Sequence, residues 1–248
     1  MSVTMVELEP LTVKSLKEEF ISRFEPLILS GRFKTGQKLP PERELARQLR
    51  VSRPVVHEGL LELAYRGLLT IVPRKGVFIN DYRTEGSIEV LISLFNYNKG
   101  DLDPGLLKSL LEMRRLIETE LASMAALNRN EEHLKTLNLI LEKERDLKID
   151  DKESITEIDF NFHHTIAMAT GNLIYPLLLN SFKPVYTNLL KIFYSDPSVV
   201  KKVFWFHRKL SGYIETKNQK AALRVMKSIL IYGEKNLLRI ISGKIDLK

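Results

Sequence analysis

The chain has 248 residues, 44% of them hydrophobic and 28% charged, a balance that fits a globular protein and excludes a disordered one. Its net charge is +7 and it has no cysteine, which excludes disulfides, thiolate metal sites and thiol nucleophiles. The opening MSVTMVELEP has no basic stretch followed by an apolar one, and no apolar run reaches the ~18–20 residues that cross a bilayer. A cytoplasmic protein with no membrane partner is expected.

In chain order, Val13, Leu16, Phe20, Phe24 and Leu27 recur at helical spacing and predict an amphipathic helix over 13–29, stopped at Ser30-Gly31. The stretch 34–41 is turn-rich, and Pro41 suits the first turn of a short helix over 42–49 with Leu45 and Leu49 on one face. After Arg50-Val51, Ser52 is expected to cap a helix that carries Val56, Leu60, Leu63 and Ala64 on its inner side and stops at Gly67. The β-branched runs 69–72 and 77–79, joined by Pro73-Arg74-Lys75-Gly76, read as a hairpin.

Beyond Asn80-Asp81 the pattern is helical throughout, over 88–97, 104–128, 131–147, 154–170, 175–194, 197–215 and 219–242. Turn or capping residues break it at 98–101, 149–151, 170–172 and 195–197. The expected architecture is an α+β winged helix-turn-helix over 10–80, followed over 81–248 by an all-α bundle of six or seven helices.

Between Gly31 and Ile79 ten basic residues face four acids, a surplus of six that is close to the net charge of the whole chain. Such a localised positive surface is what polyanion binding requires. In a helix-turn-helix the N-terminal residues of the second helix meet base edges, and here they are Ser52 and Arg53, with His57 one turn on. A guanidinium there bonds bidentately to guanine. Arg43 starts the preceding helix, where phosphates pass, and Arg74-Lys75-Gly76 at a hairpin tip suits the minor groove. Each residue alone reads equally well as surface; the ordered set points to double-stranded DNA.

These residues resemble a known family. Leu39-Pro40-Pro41-Glu42-Arg43-Glu44-Leu45-Ala46, then Val51-Ser52-Arg53 and Glu58, then Gly67-Leu68 and Gly76-Val77-Phe78-Ile79, resemble the signature of the GntR superfamily of winged-helix regulators. The resemblance implies that Arg43, Ser52 and Arg53 touch DNA. His57 and Gly59 depart from the pattern, where arginine and alanine are usual.

The helical half resembles the effector domain of the FadR subfamily, through Arg114-Arg115-Leu116-Ile117-Glu118, Asp159-Phe160-Asn161-Phe162-His163 and Gly171-Asn172. Two readings stay open. Many such domains hold a divalent metal, zinc or nickel, on one Asp and three His, and the metal holds a carboxylate effector. Asp159 and His163, four apart, share a helix face and suit a cation, and the resemblance adds His207. The fourth ligand position falls at Ile229, so the set is incomplete.

The other branch binds long-chain acyl-CoA and lacks the metal. Leu179-Asn180-Ser181, Val185-Tyr186-Thr187, Phe206-His207-Arg208-Lys209-Leu210-Ser211 and Tyr232-Gly233 resemble it. By that resemblance Tyr186, Tyr232 and Gly233 line the effector pocket with Arg114, while Leu230, Asn236 and Ile240 depart from the pattern. The aromatics Phe160, Phe162, Phe182, Phe193, Phe204, Trp205 and Phe206 suit either an acyl-chain pocket or an ordinary helical core. A homodimer on a palindromic operator, released by its effector, is the expected mechanism. An enzyme is not expected, because no motif sets a general base beside Asp159, His163 and His207.

Overall fold

In the computed structural model, which describes residues 15–97 and 104–245, the chain forms two units, Met1–Lys99 and Gly100–Lys248. The first opens with α1, Leu16–Leu29, held at its start by a capping box in which Ser15 and Glu18 satisfy each other's backbone amides. Val13 lies outside the described residues. The buried face of α1 is Phe20, Ile21, Phe24 and Ile28 rather than the stripe read from sequence. Leu16 is exposed and Leu27 only half-buried, so the apolar face is rotated by about one residue.

Helix α2, Glu42–Leu49, ends at Arg50, which takes a left-handed φ of 55° to turn the chain. Helix α3, Arg53–Tyr65, follows and buries Val56, Leu60 and Leu63. Ser52 stands at the N-cap of α3 as expected, but its side chain makes no capping hydrogen bond. Strands β1 (Leu69–Val72) and β2 (Gly76–Ile79) pair antiparallel, Leu69 opposite Ile79 and Val72 opposite Gly76. The 36–39 segment adds a short third edge, Leu39 donating to the Val77 carbonyl at 2.9 Å and Lys38 bridging Phe78. A one-turn helix α4, Tyr82–Glu85, capped by Asp81, then leads to α5, Ile88–Tyr97. Val90 of α5 is buried in the same core as Phe20, Phe24 and Leu60, so the packing of this unit continues past residue 80, where the composition changes.

Gly59 has a packing cause. A Cβ there would sit 2.3 Å from Cδ1 of Phe20, whose ring stacks on Phe24 with centroids 4.2 Å apart. Gly59→Ala is therefore expected to cost about 1–3 kcal/mol of stability through overpacking. Urea unfolding checks this, and adding Phe20→Leu should return part of the loss; an unchanged midpoint for Gly59→Ala would refute the account.

The second unit is helical in every described element. Helices α6 (Pro104–Asn128), α7 (Glu131–Asp146), α8 (Lys152–Ala169), α9 (Ile174–Ser181), α10 (Lys183–Phe193), α11 (Val200–Glu215) and α12 (Gln219–Ile245) follow in order, with a 3-10 turn at Pro197–Val199. The single helix expected over 175–194 is two helices, broken at Phe182. Pro184 has no amide to give to the carbonyl four residues back, and its ring crowds that carbonyl. The core joins Leu121, Ala122 and Ala125 of α6 to Leu137 and Leu141 of α7, Phe162 and Ile166 of α8, Leu210 and Ile214 of α11, and Met226 of α12. No helix among the described residues is long and apolar enough to cross a membrane.

Candidate functional site

The DNA-reading candidates lie on the surface of the first unit. Arg43 is exposed in the first turn of α2, and Ser52 and Arg53 are exposed at the start of α3. No ion pair holds Arg53 among the described residues, so its guanidinium is available to a partner. His57 is exposed one turn further along, and its Nδ1 lies 2.8 Å from Oε1 of Glu42, tying α3 to the first turn of α2. Arg74 and Lys75 are exposed at the tip of the hairpin. Gly76 has a φ of +119°, so the turn calls for glycine, while a Cβ there would meet only the flexible end of Lys38.

At its other end α3 is anchored by Arg66, its C-cap residue. The Arg66 guanidinium bonds Glu25 of α1 at 3.0 Å, Glu62 at 3.2 Å and the Ser93 hydroxyl of α5 at 3.4 Å. Lys17 adds a contact to Glu62 at 3.3 Å. Burial would raise the Glu62 carboxyl, but Arg66 and Lys17 hold it below the usual carboxylate range.

In the second unit the inward face of α8 presents Asp159 and His163, one turn apart. Around them α6 places Arg114 and Glu118, α7 places Glu144, α11 places His207, and Tyr186 and Tyr194 come from α10 and its C-cap. Tyr194 donates to Oδ2 of Asp159 at 2.5 Å. His207 Nδ1 lies 2.5 Å from Oε1 of Glu144. His163 Nδ1 lies 2.5 Å from Oε2 of Glu118, an ion-pair approach without the alignment of a hydrogen bond. The other ring nitrogens face the aspartate, His207 Nε2 at 3.8 Å and His163 Nε2 at 4.0 Å. Both distances are too long for a hydrogen bond, and His207 Nε2 is buried without a partner.

Arg114 donates through Nε to Glu118 at 2.7 Å and through Nη2 to the Tyr186 hydroxyl at 2.7 Å. Burial works against ionising Glu118, yet Arg114 and His163 outweigh it and bring its pKa down to about 2. Burial raises both Tyr186 and Tyr194 well above the ordinary phenol value, so each stays a protonated donor. The cluster encloses three carboxylates and one guanidinium. Two imidazolium protons or one divalent cation would balance the remaining formal charge.

Two cavities flank this cluster. One is lined by Arg114, Asp159, His163 and Glu234 together with Leu111, Leu189, Leu190, Phe193, Val203, Ile229, Leu230, Gly233 and Leu237. The other is bordered by Arg114, Glu118, Tyr186, Phe182 and the apolar side chains of α6, α9 and α10. Arg114 borders both. Of the residues expected to bind an effector, Arg114, Tyr186 and Gly233 line a cavity, whereas Tyr232 packs on Phe206 with ring centroids 5.9 Å apart. Of the aromatic group, Phe193 and Phe182 reach a cavity, Phe160, Phe162 and Phe204 are buried, and Trp205 is exposed.

The roles of Glu144 and Tyr194 at the cluster were missed from sequence. Glu144 had a signal, because it continues the apolar stripe Leu137, Ile140, Leu141 on α7, where only a partnered acid is expected.

Two family models divide the chain between them: bacterial regulatory proteins of the gntR family match residues 9–79, and the FadR C-terminal domain matches residues 80–237. The chain belongs to the GntR family, with a FadR-type C-terminal domain. Members of this family are transcription regulators that bind DNA, not enzymes. A relative from Yersinia pestis (strain Pestoides F), named fatty acid metabolism regulator protein, is 30% identical over 209 residues, 84% of each chain. One of the same name from Yersinia pseudotuberculosis serotype O:1b gives the same figures. Among solved structures, Lar, described as controlling expression of the Listeria monocytogenes agr system, is 15% identical with a TM-score of 0.58 over 92% of this chain and 99% of its own. That likeness concerns the GntR-type fold alone.

Proposed function

We propose that this GntR-family regulator binds a palindromic operator as a homodimer and leaves it when a long-chain acyl-CoA occupies the helical unit, which places it in the control of fatty-acid metabolism. The observation that carries this reading is the first cavity, apolar on most of its wall and edged by the Arg114 guanidinium. Ligand pockets are lined mostly by apolar groups with a few placed polar ones, as this wall is. The name of the Yersinia relatives supports the same reading. On DNA, Arg53 and Ser52 would meet bases, Arg43 and His57 the phosphates near them, and Arg74-Lys75-Gly76 the minor groove.

Fluorescence anisotropy on a labelled operator fragment tests the effector. Oleoyl-CoA should weaken operator binding at least about tenfold, the scale of a 1–3 kcal/mol coupling. Unchanged binding with every long-chain acyl-CoA tried would end this reading.

The buried, unpaired Nε2 of His207 favours a second reading. Asp159, His163 and His207 present ligand atoms within 4.8 Å of one another. Glu118 and Glu144 back the two imidazoles, as carboxylates behind metal-bound histidines do. This donor set fits a divalent ion, and Ile229 adds no fourth ligand. A bound ion would supply the positive charge that holds a carboxylate effector. Elemental analysis of protein purified without added metal separates the readings: one equivalent of zinc or nickel supports this one, and metal-free protein that still responds to acyl-CoA rules it out.

A further inference from the structure

The positive charge is not confined to residues 31–79. Residues 200–245 hold eleven lysines and arginines against two acids, Glu215 and Glu234, whereas residues 104–199 hold eleven against fourteen. On α11, Lys201, Lys202, Arg208 and Lys209 are exposed, and no ion pair holds any of them among the described residues.

Among them stands Trp205, the single tryptophan of the chain, 42% exposed. Lys202 Nζ lies 3.9 Å and Lys209 Nζ 5.0 Å from its ring centroid. Trp205 packs edge-on against Phe206, ring centroids 5.0 Å apart, and the rest of its ring meets water with lysine cations over it.

Ring contacts lead from this patch toward α12. Lys202 Nζ also lies 5.0 Å from the Phe206 ring, and Phe206 packs on Tyr232. The chain neighbours of these residues, Val203 on α11 and Gly233 on α12, line the cavity wall.

We propose that Lys202, Trp205 and Lys209 form a seat for a phosphorylated purine, the nucleotide end of a coenzyme A thioester whose acyl chain enters the cavity. The seat rests on the acyl-CoA reading given above. A base stacked on an aromatic face gains about 1–3 kcal/mol. The two ammonium groups, on flexible stems, swing from the indole to the phosphates as point charges. Duplex DNA keeps its bases stacked inside, so an exposed ring between lysines suits a free nucleotide better than an operator flank.

Trp205 is its own reporter. In the full-length protein, oleoyl-CoA and adenosine 3′,5′-bisphosphate should each change its emission saturably. By calorimetry, the Lys202→Glu/Lys209→Glu double variant should bind oleoyl-CoA at least about tenfold more weakly while keeping operator affinity. Equal oleoyl-CoA affinity in the wild type and the variant would overturn the seat and leave the acyl-CoA reading standing. No oleoyl-CoA binding by the wild type would overturn both. A loss of ligand-free operator affinity in the variant would assign the face to DNA, and the seat would again fall.

Discussion

Replacing Arg53 by alanine is expected to weaken operator binding by roughly 5- to 150-fold, the ~1–3 kcal/mol of a bidentate arginine–guanine contact. Arg53 is exposed at the first position of α3, and no carboxylate among the described residues has to be left behind when it meets a base. The core under it, Val56, Leu60 and Leu63, is untouched by the change, so the thermal midpoint should hold. The loss should be concentrated at one base pair of each half-site, so variant operators should be discriminated less. Arg74→Ala is expected to behave differently, weakening all sequences alike and lowering the salt dependence by about one unit. Full operator affinity in a folded Arg53→Ala protein would remove this residue from the interface.

Arg114→Ala should produce the largest loss of stability, about 3–5 kcal/mol, because it leaves Glu118 buried and ionised without its main partner. Pairing it with Glu118→Leu should recover much of that loss, since removing both charges costs less than stranding one. The acid limb of the stability curve carries the same information. Glu118 has a folded pKa of about 2 against an ordinary 4.5. Its contribution is therefore complete above about pH 4.5 and is lost as pH falls toward 2. Urea unfolding between pH 2 and 5 should show that decline in the wild type and a flatter profile in Arg114→Ala. Parallel profiles would mean that the pair does not set the acid limb.

Much of the fold could be read from the sequence because its signals are local. The β-branched runs around Pro73-Arg74-Lys75-Gly76, the stop at Gly67 and the 3.6-residue period of α6 each act within a few residues, and α2 and α6 have the bounds expected of them. The misreadings come from competition that the pattern does not record. On α1 two aromatic rings stack and take Ile21 and Ile28 inward with them, leaving Leu16 in water. At Phe182 the missing amide of Pro184 outweighs a continuous apolar period.

The pocket cluster was legible only in part. Asp159 and His163 share a helix face by spacing, and His207 was reached by resemblance. The carboxylates behind the two histidines and the hydroxyl on Asp159 come from other helices, as Tyr194 does from 35 residues away. Such pairings leave no period in the chain. The charge on α11 and α12 was missed for a simpler reason: the acidic residues between 80 and 199 offset most of it in the net total.

The anchoring of α3 at Arg66 bears on how such a regulator can change over generations. Base-reading candidates stand at one end of that helix, and at the other Arg66 is bonded to α1 and to Ser93 of α5, the last described helix before the chain leaves the unit. About three and a half helical turns separate the two ends. Substitutions at residues 52, 53 and 57 can thus retune the operator while the attachment to α5 stays as it is. Substitutions around Arg66 can alter that attachment without rewriting the sequence that is read. One helix carries two traits that selection can move separately.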